Sequence, residues 1–264
     1  MKFYNFRQHS KYYSNMIKFK TNFNTFFLFL SILLIFYSCS STEQKIYLKK
    51  IEGSPAYENS SLTIEEITSD GENFTFSFNI NNYELGTQTV NEFDYNLANS
   101  AKGQHIHFIV NNGPYSAHYS EKFDTKILDD NSIILAFLSR SHHESVKNPN
   151  AYILKQLGDV NNVNLENEFL FYSRPKGTYK GSDTEKLLLD FYLVNTNLSP
   201  DGNKVRITIA QNQQTNKFLV DQWEPYYIEG LEKGEVSIML ELINNDGELI
   251  KTPFNPSSRK VFLE

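Results

Sequence analysis

Cysteine is nearly absent: Cys39 is the only one in 264 residues. One thiol excludes intrachain disulfides and thiolate metal clusters, so a metal site must draw on His, Asp or Glu. Stability then rests on a hydrophobic core, and 21 Phe and 16 Tyr supply its bulk. No apolar run approaches the ~20 residues that a membrane-spanning helix needs. No stretch shows the period of a long helix. A Gly-x-Ser-x-Gly elbow, a His-Glu-x-x-His pair and a phosphate-cradling Gly-rich loop are all missing, so the chain reads as no enzyme. Asp129-Asp130 falls in an expected turn, and Ser199-Pro200-Asp201-Gly202-Asn203 lacks the ligand spacing of a calcium loop. Positive charge is also scarce. With a net charge of −6, the chain has no electrostatic reason to bind nucleic acid or anionic lipid.

The basic residues that stand first in the chain have a different meaning. Lys2, Arg7, Lys11, Lys18 and Lys20 precede an apolar run at 26–37, and no acid occurs before it. A basic start followed by a 7–15-residue apolar run is the pattern of a secretory signal peptide; Met16 offers an alternative start that gives a leader of ordinary length. Directly after the run, Ser38-Cys39-Ser40-Ser41 resembles the lipobox of bacterial lipoproteins. That resemblance implies cleavage before Cys39, diacylglycerol on its sulfur and an acyl group on its amine, and two or more chains make a stable anchor. Ser40 in place of Asp then favours the outer membrane. Removing residues 1–38 deletes five positive charges and makes the chain still more acidic.

The rest divides into a polar tether at 39–61, a first domain at 62–165 and a second at 166–264. The tether carries one expected strand at 45–51. Residues 74–80 alternate apolar and polar, the period of a half-buried strand. Further strands are expected at 105–110, 122–128, 132–138, 187–194, 204–209, 223–228, 236–242 and 260–263. Residues 151–157 suit a strand or a short helix, and 173–177 a basic turn. Asn245-Asp246-Gly247 is a strong hairpin signal. Short strands at this spacing predict an all-β chain of two tandem immunoglobulin-like β-sandwich domains.

The two halves look like divergent copies. The stretch from Gly103 aligns with that from Gly202, Glu121 with Glu224, and Ser132 with Ser237. In the second copy Lys204, Arg206 and Thr208 alternate with Val205, Ile207 and Ile209. Lys and Arg are almost never fully buried unless paired, so they mark the outer face. By alignment His105 and His107 lie on the outer face, accessible to solvent or an adjoining domain, with Ile106, Phe108 and Val110 facing the core.

Five of the six histidines fall between 105 and 143. His105 and His107 are neighbours on one strand face, His118 follows a turn at 112–114, and His142 and His143 sit on a loop. Imidazole is the commonest metal ligand, so His105, His107, His118, His142 and His143, closed by Glu144, are candidate ligands for zinc or copper. Outside this set no cofactor is indicated. A second reading is an aromatic platform for glycan or peptide, drawn from Tyr115, Tyr119, Trp223, Tyr226 and Tyr227. Candidate anion sites are Arg140 and the pair Arg174 and Lys176.

Two stretches carry a further likeness. Residues 223–235, with the strand and turn at 238–247, resemble immunoglobulin-like modules of bacterial envelope proteins. Gly103-Gln104-His105-Ile106-His107, with residues 137–144, resembles a family of uncharacterised envelope lipoproteins, some described as phosphopeptide-binding. The resemblance implies a lipid-anchored, non-catalytic protein of the cell envelope with an envelope protein or glycan as partner. It brings no catalytic motif.

Overall fold

The computed structural model describes residues 45–127, 129, 131–158 and 163–264. The signal peptide, the lipobox at Cys39 and the choice between Met1 and Met16 lie outside the described residues. Residues from Gln44 onward form one compact unit. Among the described residues there is no helix long and apolar enough to cross a membrane.

The structure is all-β. Its first sandwich uses β2 (Ser61–Asp70), β3 (Asn73–Asn81), β4 (His105–Val110), β5 (Ser116–His118), β6 (Lys122–Lys126), β7 (Ile133–Ser139) and β8 (Tyr152–Gln156). They form a sheet of order β2-β3-β6 and a facing sheet of order β5-β4-β7-β8. The second sandwich uses β9 (Phe169–Arg174), β10 (Gly177–Tyr179), β11 (Lys186–Val194), β12 (Lys204–Gln211), β13 (Gln214–Val220), β14 (Tyr226–Glu229), β15 (Gly234–Ile243) and β16 (Ser257–Leu263). Setting β10 aside, its strands repeat the same order, β9-β11-β14 facing β13-β12-β15-β16. β10 runs parallel to β16, so the chain crosses from one sheet to the other within its first strand pair. This is the immunoglobulin-like arrangement of two packed antiparallel sheets with Greek-key connections. The sequence alignment of the halves matches β4 with β12, β6 with β14 and β7 with β15, which are topological equivalents.

Residues 45–60, expected as a tether, behave otherwise. β1 (Tyr47–Lys50) pairs antiparallel with β14 as the edge strand of the second sandwich, and Ile46 and Leu48 pack into that sandwich's core. The strand expected at 45–51 is there, but its partner lies some 180 positions later in the second sandwich. The basic turn expected at 173–177 is narrower, a bend at Pro175 and Lys176 between the end of β9 and the start of β10, and 152–156 is strand rather than helix.

Each sandwich has its own core. Phe76, Phe78, Ile106, Phe108, Ile134 and Leu138 fill the first; Leu189, Phe191, Ile207, Ile209, Ile228 and Leu240 belong to the second. A third cluster joins them. Ile109, Tyr115, Leu135 and Phe137 of the first sandwich meet Phe169, Phe171, Tyr192 and Val194 of the second. Both faces of β7, β9 and β11 are therefore covered, which is why 133–138, 169–172 and 187–189 are continuous apolar runs rather than alternating ones. Each such side chain, fully buried, contributes about 1.5–3 kcal/mol. Polar contacts add direction. The Asn112 side-chain carbonyl accepts from the Tyr172 amide at 2.8 Å. Arg259 donates to the Gly113 and Tyr172 carbonyls at 2.7 and 2.8 Å.

Candidate functional site

β4 runs through the middle of this joint. Ile106 and Phe108 point into the first core, as the repeat implies. His105 and His107 point the opposite way, and of the two expected neighbours they meet the adjoining domain and not solvent: each is 0% exposed, and His107 touches Ser173 of the second sandwich. The correction has a plain cause. Lys204 and Arg206 mark a face open to solvent in the second sandwich, whereas the equivalent face of the first carries Ile109, Leu135 and Phe137 and is covered by β9 and β11.

His143 joins them from the loop between β7 and β8. Its backbone is left-handed, with φ 69°, a conformation uncommon outside glycine. The amide of His143 donates to the Arg140 carbonyl at 2.9 Å and closes the turn. Arg140 holds the same loop through its guanidinium, which pairs with the Glu144 carboxylate at 2.8 Å and donates to the Ser145 and Pro55 carbonyls at 2.7 and 3.0 Å. Arg140 is thus committed inside the protein and not free for an anion. Glu144 also accepts from Ser54 at 2.5 Å and from His142 Nε2 at 2.8 Å. Burial works against its ionisation, but the His142 hydrogen bond and the charges of Arg140 and Lys147 pull its pKa down to about 2. As a carboxylate it only accepts, so His142 is the donor. That hydrogen bond and an edge-on contact with Phe93 engage His142 apart from the other rings.

The ligand atoms of His105, His107 and His143 all lie within 4.8 Å of one another. His107 Nε2 is 2.9 Å from His105 Nε2, and His143 Nδ1 is 3.1 Å from the same atom. His105 Nδ1 stands 2.8 Å from the Gly103 carbonyl. A carbonyl only accepts, so the proton of the neutral ring sits on Nδ1 and the Nε2 lone pair faces the other two rings. His107 is fixed between two hydroxyls, Ser173 Oγ at 3.2 Å from Nδ1 and Ser139 Oγ at 3.2 Å from Nε2. The Tyr115 ring stacks on it with centroids 3.5 Å apart, and the Tyr115 hydroxyl lies 3.2 Å from His143 Nδ1.

All three rings are held neutral. Burial pushes His105 down to about 4, against a smaller opposing effect of the Gly103 carbonyl, and the charges of Arg174 and Lys176 lower it further. Burial again, with the neighbouring rings and the same two cations, holds His107 and His143 far below the usual imidazole range. Arg174 is buried, donates to the Tyr179 hydroxyl at 2.7 Å, and leaves its Nε without a partner. Lys176 lies over the Tyr115 ring at 3.6 Å and donates to the Tyr115 carbonyl at 2.6 Å.

Of the candidate ligands, the structure thus gathers His105, His107 and His143. His118 stacks on Phe123 at 3.4 Å and bonds to Ser116 at 2.7 Å, on the core side of β5. The aromatic residues form no exposed platform. Tyr115 and Tyr226 are buried, the Tyr226 hydroxyl donates to the Gln222 carbonyl at 3.0 Å, and the half-buried Trp223 donates to the Phe191 carbonyl at 2.9 Å. Ser139, Ser173 and the Gly103 carbonyl were not singled out in the sequence. Neither serine carried a signal, since the register that sets Ser139 opposite His105 is fixed only by the pairing of β4 with β7. Ser139 and Ser173 are both fully buried, so their contact with His107 offers no nucleophile to a substrate.

No family model and no curated protein matches the chain. Solved structures do. The fibronectin(III)-like modules of Clostridium thermocellum CbhA are 13% identical, with 77% of this chain and 94% of that chain covered and a TM-score of 0.26. A two-domain fibronectin type III segment of chicken tenascin is 11% identical, with 76% and 97% covered and a TM-score of 0.23. The FN1–FN3 domains of chicken CNTN1 are 8% identical, with 77% and 65% covered and a TM-score of 0.21. The fold itself rests on strand order and register.

Proposed function

We propose that this chain is a lipid-anchored, non-catalytic binding or structural protein of the cell envelope, held at the outer membrane through Cys39. The observation that carries the non-catalytic part is the shared cluster of Ile109, Leu135, Phe137, Phe171 and Tyr192. It joins the two sandwiches in one compact unit and covers the chemically loaded face of β4, so the histidines of that face lie under protein rather than in an open cleft. The anchor is supported by the basic leader, the apolar run at 26–37 and the only cysteine standing directly after it. Its partners are the membrane and another envelope component. The inward-turned Trp223 and Tyr226 give no support to a glycan.

Cell fractionation tests the anchor. The native chain is expected in the membrane fraction, labelled by radioactive palmitate, and Cys39→Ser in the soluble fraction without label. A Cys39→Ser chain that stays with the membrane overturns the proposal.

A further inference from the structure

The geometry points to a three-histidine site for zinc or copper at the seam of the two sandwiches, with His105 Nε2, His107 Nε2 and His143 Nδ1 as ligands. This goes beyond the role proposed above, which needs no metal.

Four observations carry it. First, the donor atoms converge. In a tetrahedral centre with metal–nitrogen bonds of about 2.0–2.1 Å, ligand nitrogens stand about 3.3 Å apart. Two edges of the triangle here are 2.9 and 3.1 Å, and the third is no longer than 4.8 Å, so side-chain adjustments close it. Second, the lone pairs are aimed. The Gly103 carbonyl fixes the proton of His105 on Nδ1, and Ser173 faces His107 Nδ1. A hydrogen-bonded far nitrogen is how ligating imidazoles are oriented. Third, the nitrogens crowd one lone pair. Two ring nitrogens lie within 3.1 Å of His105 Nε2, with the Ser139 and Tyr115 hydroxyls as the other neighbours of His107 Nε2 and His143 Nδ1. Fourth, His143 is set in place by its loop, with a left-handed backbone of φ 69° and its amide donating to the Arg140 carbonyl at 2.9 Å.

The donor set selects the ion. Three neutral nitrogens with no oxygen or thiolate ligand suit zinc or copper and exclude calcium and magnesium. Arg174 and Lys176 act on the three rings as positive charges. They oppose a cation, and an anionic fourth ligand would offset them.

The test uses the full chain, purified in detergent through a histidine-free tag and without chelator. Elemental analysis is expected to find one zinc or copper ion per chain. After chelation, titration with zinc and separately with copper is expected to restore that stoichiometry and raise the melting temperature. His143→Asn is the informative variant, because Asn tolerates the left-handed backbone and the strands stay intact. It is expected to weaken binding more than tenfold, since even changes behind a ligand cost about 10–100-fold. His118→Gln is expected to bind as the native chain does. The assignment is overturned if the native chain takes up neither ion, or if His143→Asn binds as tightly as the native chain. It is overturned equally if His118→Gln loses the ion to the same degree.

Discussion

Lys147 of the first sandwich reaches Asp190 of the second, Nζ to Oδ1 at 2.6 Å, and the Asp190 side chain is 0% exposed. Ser145 adds a hydroxyl bond to the same oxygen at 2.8 Å. One carboxylate of β11 thus holds the loop that carries His143.

Removing one partner of a buried pair leaves the other charge uncompensated and costs about 3–5 kcal/mol. Asp190→Ala is therefore expected to lower stability in urea by that amount. The native chain is expected to unfold in a single transition, with Trp223 fluorescence and far-ultraviolet circular dichroism coinciding, as one cooperative unit requires. Two separated transitions would show that the sandwiches unfold independently.

Gly103 has φ +85°, and a Cβ there would collide with the Gly86 carbonyl. Alanine at a positive φ destabilises by more than about 1 kcal/mol. Gly103→Ala is expected to exceed that value in chemical denaturation, because the collision is with backbone and cannot rotate away. A neutral outcome would contradict the close approach of the two loops.

His118 titrates in the opposite sense to a salt-bridged histidine. Burial between Phe123 and Phe108 lowers its pKa from the ordinary 6.5 to about 4. Between those values the unfolded chain holds more protons than the folded one. Stability is then complete above pH 6.5 and falls as the pH drops toward about 4. Melting temperatures measured in chelator from pH 7.5 down to 4.5 are expected to decline, and more gently for His118→Gln. An equal slope for both chains would show that His118 does not contribute.

Much of the fold was legible in local pattern. The alternation at 74–80 and at 204–209 became β3 and β12, and the alignment of the halves paired true topological equivalents. It also placed Ile106 and Phe108 on the core side of β4. The site was half legible. Spacing put His105 and His107 on one face, but whether that face met water depended on what packed against it. The runs at 133–138 and 169–172 carried that answer, since a strand apolar at every position is covered on both sides. That His143 and not His142 turns toward His105 depends on one left-handed residue and on the Arg140–Glu144 pair. Neither is a periodic feature, so no pattern announces them. β1 was expected as a strand within 45–51, but its place was not legible: four residues have little signature, and their partner is β14.

The position of β1 also decides how the molecule carries mechanical load. Tension applied through the residues before Gln44 enters at β1, where Tyr47 to Lys50 lie against Glu229 to Tyr226 of β14. Gly230, with φ +88°, lets the chain pass so close to the Lys45 carbonyl that a Cβ would collide with it. Force is therefore delivered to the second sandwich and spread through its sheet. The first sandwich, with β4 and its histidines, follows β1 in the chain, so a pull from this end reaches its backbone directly only after β1 is sheared from β14.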